Sequence, residues 1–99
     1  MFRAKLMAYC LDAIDHYGGI AQAIKCREEC RELDHALTEW HRGGHLAHDC
    51  PAVIDEIADV LIMAEQMRIQ FGDKAVDDVI LSKIDRQRAR MAATPKGGA

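Results

Sequence analysis

The chain has 99 residues, of which 49% are hydrophobic and 29% are charged, and 13 basic and 16 acidic side chains give a net charge of −3. This composition excludes wholesale disorder, and the mild acidity argues against a basic nucleic-acid module and against an electrostatic membrane binder. With no apolar run long enough to cross a bilayer and no signal-peptide pattern, we expect a cytoplasmic protein without a membrane partner.

Hydrophobic residues recur at spacings of three and four in four segments, which predicts four helices. Pairs of glycines at 18–19 and 43–44 separate the first three segments, and Gly72 precedes the fourth. The predicted helices span residues 2–17, 20–40, 51–71 and 74–91. They form one helical domain over residues 1–93, and residues 94–99 are expected to be a disordered tail.

The third helix is apolar on more than one face. Ile57, Val60, Leu61, Ala64, Met67 and Phe71 form one stripe, whereas Ala58, Ile62 and Ile69 cover part of the other side. A helix of this kind is buried on more than one face, so we expect it to lie at the centre of the fold or at a subunit interface. In the other helices, the apolar stripes are expected to face the core, among them Cys26, Cys30 and Leu37 on the second helix and Ile80 and Ile84 on the fourth.

The cysteines allow two interpretations. Cys10, Cys26 and Cys30 are expected to be small core residues, because free cysteine is often buried. The alternative is a structural zinc site made by Cys26, Cys30 and the neighbouring histidines. Such sites usually hold their cysteines in tight turns, however, and two cysteines four residues apart within a helix are a poor match. The histidine-rich connector, residues 41–49, matches no motif.

Two pairs of acidic residues carry the functional hypothesis. Glu29 and Glu32 lie three positions apart on the second helix, and Glu56 and Asp59 do so on the third. Residues three apart share a helix face, and Asp59 lies within an apolar run where an ionised carboxylate needs a positive partner. Four carboxylates converging from two antiparallel helices would repel one another, and Mg²⁺ or Mn²⁺ would relieve that repulsion. The plainer alternative is a solvated acidic edge with local salt bridges.

These motifs resemble the MazG-like all-α nucleoside triphosphate pyrophosphohydrolases, over about residues 17 to 91. The segment from Lys25 to Leu33 is similar to the E-E-x-x-E-L helix of that family, and the segment from Asp55 to Leu61 is similar to its E-x-x-D helix. Lys83 and Arg86 are similar to its late K-x-x-R pair, but Ser82 stands where many relatives have asparagine.

The resemblance implies a four-helix, bundle-like subunit of a homodimer or homotetramer. It implies that a (deoxy)nucleoside triphosphate is converted to the monophosphate and pyrophosphate by water attack at the α-phosphorus. Its implied Mg²⁺ ligands are Glu29, Glu32, Glu56 and Asp59. Glu29 and Glu32 are also the expected catalytic residues, with Glu32 as the base, and the expected substrate contacts are Gln22, Lys25, Lys83 and Arg86.

Three other functions compete with this hypothesis. The same scaffold could serve a phosphoribosyl-ATP pyrophosphohydrolase, which cleaves the same kind of bond. A catalytically silent helical oligomer could act as a binding or regulatory module with a vestigial acidic cluster. A zinc-dependent structural module is the third. The sequence does not distinguish the base or sugar of the nucleotide.

Overall fold

A computed structural model describes residues 1–47 and 50–97 and contains four α-helices. They are α1 (Phe2–Tyr17), α2 (Gly19–Arg42), α3 (Cys50–Phe71) and α4 (Asp73–Ala92). The prediction of an all-helical chain is confirmed for these residues, and the predicted helix ends lie within two residues of the observed ones. Across the same two ranges, none of the helices combines the length and the apolar character needed to cross a membrane.

Glycines with left-handed backbone conformations separate the helices. Gly18 has φ 91° between α1 and α2, and Gly72 has φ 119° between α3 and α4. A residue with a Cβ atom is strained at such angles, so glycine lets each helix stop and the next begin directly. The predicted connector includes His48 and Asp49, which lie outside the described residues, and the predicted disordered tail includes Gly98 and Ala99, which also lie outside them.

The centre of the fold is the antiparallel packing of α2 against α3, with α1 lying across both. The buried hydrophobic residues among those described are Cys10, Ala13 and Met63. Next to them, the Nε2 atom of Gln22 donates a hydrogen bond of 2.7 Å to Oε1 of Gln66, whose side chain is 0% exposed. A buried amide needs such a partner, so the centre of this pair of helices is small and partly polar.

Much of the apolar surface of α2, α3 and α4 is exposed, and for α2 and α4 this corrects the expectation that their apolar stripes face the core. On α3, Leu61 is 61% exposed and Phe71 is 76% exposed, and on α2 both Cys30 and Leu37 are exposed. No residue of α4 is buried, including Ile80. The reason is that α2 and α3 meet through the strip that carries Gln22, Gln66 and the acidic residues, which leaves the wider apolar faces uncovered.

The chain is also expanded for its size. Its accessible surface is 7768 Å², whereas a compact monomer of 11.1 kDa has about 5,700 Å². Its radius of gyration is 16.6 Å, compared with about 13 Å for a compact domain of this length. The chain therefore exposes roughly 2,000 Å² more surface than a compact monomer of its mass.

An arginine connects α4 to the end of α3. The guanidinium of Arg68 contacts Glu65 at 3.4 Å and Asp73 at 3.1 Å, and it also donates a hydrogen bond to Asp77. That hydrogen bond lowers the pKa of Asp77. The packing of α4 is chiefly against α3, and beyond Asp77 the side chains from residue 78 to residue 97 are all exposed.

Candidate metal centre

Four carboxylates from α2 and α3 meet on the inner side of this helix pair. Glu29, Glu32, Glu56 and Asp59 each offer an oxygen, and these four oxygens all lie within 4.8 Å of one another. The spacing of three residues places each pair on one helix face, and antiparallel packing turns the two faces towards each other. We call these residues the acidic cluster. Within residues 1–47 and 50–97, it is the one group of three or more His, Cys, Asp or Glu side chains that comes this close.

Burial makes the acidic cluster electrostatically unfavourable without a counter-charge. Glu29 is 6% exposed, and Glu56 and Asp59 are half-buried. Desolvation raises the pKa of Glu56, and the charge of Glu32 raises it further. Desolvation likewise raises the pKa of Asp59, with the charge of Glu29 as the next cause. These directions mean that like charges face each other across the helix pair.

Two of the carboxylate oxygens are left without a hydrogen-bond donor. Oε2 of Glu29 and Oε2 of Glu56 are both buried, and neither has a partner among the described atoms. Buried acceptors are nearly always satisfied in folded proteins, so these two oxygens are the ones in the cluster that could accept a bond from a bound cation. Hard carboxylate oxygens of this kind fit Mg²⁺ or Mn²⁺.

Lys25 compensates a part of the negative charge. Its Nζ atom lies 3.1 Å from Oε1 of Glu29 and 3.9 Å from Oε2 of Glu28. The hydrogen bond to Glu29 raises the pKa of the lysine, and the ammonium in turn favours the ionised form of Asp59. Lys25 is half-exposed, however, and one ammonium does not balance four carboxylates.

An open cleft of about 590 Å³ lies next to the acidic cluster. Its lining includes Glu32 and Glu56 together with Arg31 and His35. Neither Arg31 nor His35 is among the predicted catalytic, metal-binding or substrate-binding residues. The spacing of Arg31, Glu32 and His35, with His35 three and four residues after the other two, is the signal that could have identified them.

The other predicted site residues are distributed over the molecule. Gln22 is buried with its amide bonded to Gln66, and it lines a second cleft of about 440 Å³ together with Lys25. Lys83 and Arg86 are exposed on the distal part of α4, and neither lines the cleft next to the acidic cluster. A single chain therefore brings Lys25 to the four carboxylates but not the late basic pair.

The cysteines do not assemble the alternative zinc site within the described residues. All four are free thiols; Cys10 is buried, Cys26 is half-buried and Cys30 is exposed. No histidine or acidic side chain in residues 1–47 or 50–97 joins Cys26 and Cys30 in a group of metal ligands.

In comparisons with known proteins, no protein-family model, curated protein or solved structure matches the chain.

The metal-free protein should become more stable on mild acidification. The pKa values of Glu56 and Asp59 are raised above their ordinary values of 4.5 and 3.8, so the folded chain binds these protons more tightly than the unfolded chain does. Stability therefore rises as the pH falls through the raised pKa values, and this gain is complete below the ordinary ones. Below 3.8 the trend reverses, because Asp77 then loses its ion pair with Arg68. The melting temperature of the protein, measured in chelator from neutral pH to below pH 3.8, tests this expectation.

The same repulsion predicts that Asp59→Asn raises the melting temperature of the metal-free protein at neutral pH. The control is Asp85→Asn, which removes a carboxylate from the exposed surface of α4 and should leave the melting temperature nearly unchanged. An unchanged or lower melting temperature for Asp59→Asn would contradict mutual repulsion within the acidic cluster.

Proposed function

We propose that the protein is a Mg²⁺-dependent nucleoside triphosphate pyrophosphohydrolase, which converts a (deoxy)nucleoside triphosphate to the monophosphate and pyrophosphate. The observation that supports the proposal is the convergence of four carboxylates, each of which offers an oxygen within 4.8 Å of the others. In addition, Glu29 and Glu56 each have a buried oxygen without a hydrogen-bond partner among the described atoms. The family resemblance of the two acidic helices and of the late basic pair directs the proposal to nucleotides.

In this proposal, Glu29, Glu32, Glu56 and Asp59 hold the ion. When bound there, Mg²⁺ would neutralise part of the negative charge of the triphosphate and lower the pKa of a water molecule. Glu32 is the most exposed of the four residues and lines the open cleft together with Glu56, so it is the member most accessible to solvent. We therefore assign to a carboxylate oxygen of Glu32 the role of accepting the proton from the attacking water, with Glu29 beside it.

Positive side chains near the acidic cluster provide the charge that a triphosphate needs. Lys25 lies on one side, held by Glu29, and Arg31 lines the cleft on the other side. Arginine and lysine stabilise phosphate oxygens through charge-assisted hydrogen bonds. We assign triphosphate contacts to both residues, and we retain Gln22, Lys83 and Arg86 as predicted substrate contacts.

A nucleotide panel tests the proposal. We expect pyrophosphate release from at least one of the common ribo- or deoxyribonucleoside triphosphates in the presence of Mg²⁺ or Mn²⁺ and none in chelator. Release of inorganic phosphate instead of pyrophosphate would contradict the proposed bond, because attack at the γ-phosphorus gives that product.

The same assay with phosphoribosyl-ATP, together with calorimetry of Mn²⁺ binding, separates the rival functions. Turnover of phosphoribosyl-ATP alone would assign the protein to the related enzyme on the same scaffold. A protein that hydrolyses none of the nucleotides and shows no saturable Mn²⁺ binding by calorimetry would be the silent helical module. Each of these results would overturn the proposal.

We further propose that the chain forms a homodimer or a homotetramer. The support is the exposed apolar face of α3, together with an α4 in which no residue is buried, and a surface that exceeds the expectation for a monomer by roughly 2,000 Å². A second copy that covers these faces would bury the stripes that the sequence pattern predicts to be buried.

A further inference from the structure

Two histidines at the end of α2 hold their ring nitrogens in contact. Nδ1 of His41 lies 3.0 Å from Nε2 of His45, and the ring centroids are 5.1 Å apart with a tilt of 34° between the planes. Both side chains are exposed. Neither is part of the acidic cluster or of the cleft next to it.

The turn after α2 builds this contact. Gly44 has φ 80° and His45 has φ 65°, so two consecutive residues take the left-handed conformation. The amide of His45 donates to the carbonyl oxygen of Trp40 at 3.0 Å, which brings residue 45 back over the last turn of the helix. This turn therefore places the His45 ring beside the ring of His41.

An aromatic stack fixes the second ring from its other side. The indole of Trp40 stacks on the imidazole of His45, with a centroid separation of 4.3 Å and an angle of 28°. Stacking and the backbone turn together reduce the rotational freedom of His45. The two imidazoles are therefore arranged before any ligand arrives, which lowers the entropic cost of binding one.

We propose that His41 and His45 form a surface site for a transition-metal ion of the class that prefers imidazole, such as Zn²⁺, Co²⁺ or Ni²⁺. Metal–nitrogen bonds of about 2.0–2.1 Å place two ligand nitrogens about 2.9 Å apart at a right angle and about 3.4 Å apart in a tetrahedron. The observed separation of 3.0 Å lies within this interval.

The proton balance of binding is simple. When both rings are neutral, one ring donates its N–H to the other across the contact. On binding, the donating ring moves that proton to its other nitrogen, so both facing nitrogens present lone pairs to the ion and no proton leaves the pair.

This site differs in chemistry from the acidic cluster. Imidazole nitrogen favours zinc, cobalt and nickel, whereas carboxylate oxygen suits magnesium and manganese. It also differs from the zinc module considered from the sequence, because it uses no cysteine. Mg²⁺ is therefore expected to leave the histidine pair unoccupied.

The chain contains one tryptophan, and its contact with His45 makes it a local reporter. Tag-free protein is titrated with Ni²⁺, a paramagnetic ion, while Trp40 fluorescence is followed, and calorimetry measures the same binding independently. We expect saturable quenching with Ni²⁺ and no change with Mg²⁺. His41→Ala and His45→Ala should each abolish the saturable quenching, and calorimetry should lose one Ni²⁺ site while the site at the acidic cluster remains.

Three control variants locate the site. His35→Ala removes another exposed histidine of α2, Cys50→Ser removes a thiol that lines the same small cleft as Trp40, and Glu29→Gln alters the acidic cluster. All three should keep the saturable Trp40 quenching by Ni²⁺ that the unmodified protein shows, and circular dichroism confirms that every variant is helical. Absence of saturable quenching in the unmodified protein, unchanged quenching in either histidine variant, or loss of quenching in a control would overturn the proposal.

Discussion

Pyrophosphate release should fall at least about 100-fold when Glu29, Glu56 or Asp59 is replaced singly by its amide, because each supplies an oxygen to the acidic cluster. Changes to residues that merely orient metal ligands cost 10–100-fold in metal affinity or activity, so loss of a ligand itself should cost at least as much. An amide also lacks the charge that offsets the cation. The measurement is the initial rate with a nucleotide that the panel identifies as a substrate, at saturating Mg²⁺.

Asp34→Asn is the matched control for this prediction. Asp34 lies on α2, is exposed and is not part of the acidic cluster, so its variant should keep the rate of the unmodified protein. Turnover retained by all three cluster variants would exclude the acidic cluster as the catalytic metal site. Circular dichroism separates a loss of activity from a loss of fold.

The acidic cluster itself was predictable from the sequence. Helical spacing fixes which carboxylates share a face, and that rule placed Glu29 with Glu32 and Glu56 with Asp59. The structure brings these four residues together. The decisive signal was Asp59 within an apolar run, because an ionisable group in such a place needs a partner whatever the tertiary fold.

The inner face of each helix was less predictable. An apolar stripe marks a surface that is covered in the functional state, but it does not distinguish the chain's own helices from a second copy. On α3 the wide stripe with Leu61 and Phe71 faces outwards, and the narrower strip with Glu56, Met63 and Gln66 faces α2.

The sequence predicted the position of one basic residue near the acidic cluster but not the positions of the two on α4. Lys25 lies one turn before Glu29 on the same helix, so its contact followed from local spacing. The placement of Lys83 and Arg86 depends on where α4 lies, and no rule of spacing fixes that position. Arg68 anchors only the first part of α4.

Substitution of Leu61 by arginine should dissociate the oligomer that we propose. Leu61 is 61% exposed on α3, and it lines an apolar groove of about 420 Å³ with Phe2, Leu6 and Tyr9 of α1. A charged group buried without a partner in such an interface costs several kcal/mol. About 1.4 kcal/mol changes a dissociation constant tenfold, so we expect the dissociation constant of the oligomer to rise at least about 100-fold.

Light scattering coupled to size-exclusion chromatography measures this change. The unmodified protein should have the mass of a dimer or a tetramer, and Leu61→Arg should elute with a smaller mass. Ala8→Arg adds the same charge to an exposed position of α1 and should keep the mass of the unmodified protein. Since so little of the apolar surface is buried within one chain, Leu61→Arg should also lower the melting temperature, because it removes the stabilisation that association adds. A monomeric unmodified protein, or a Leu61→Arg variant of unchanged mass, would show that a second copy does not cover this face.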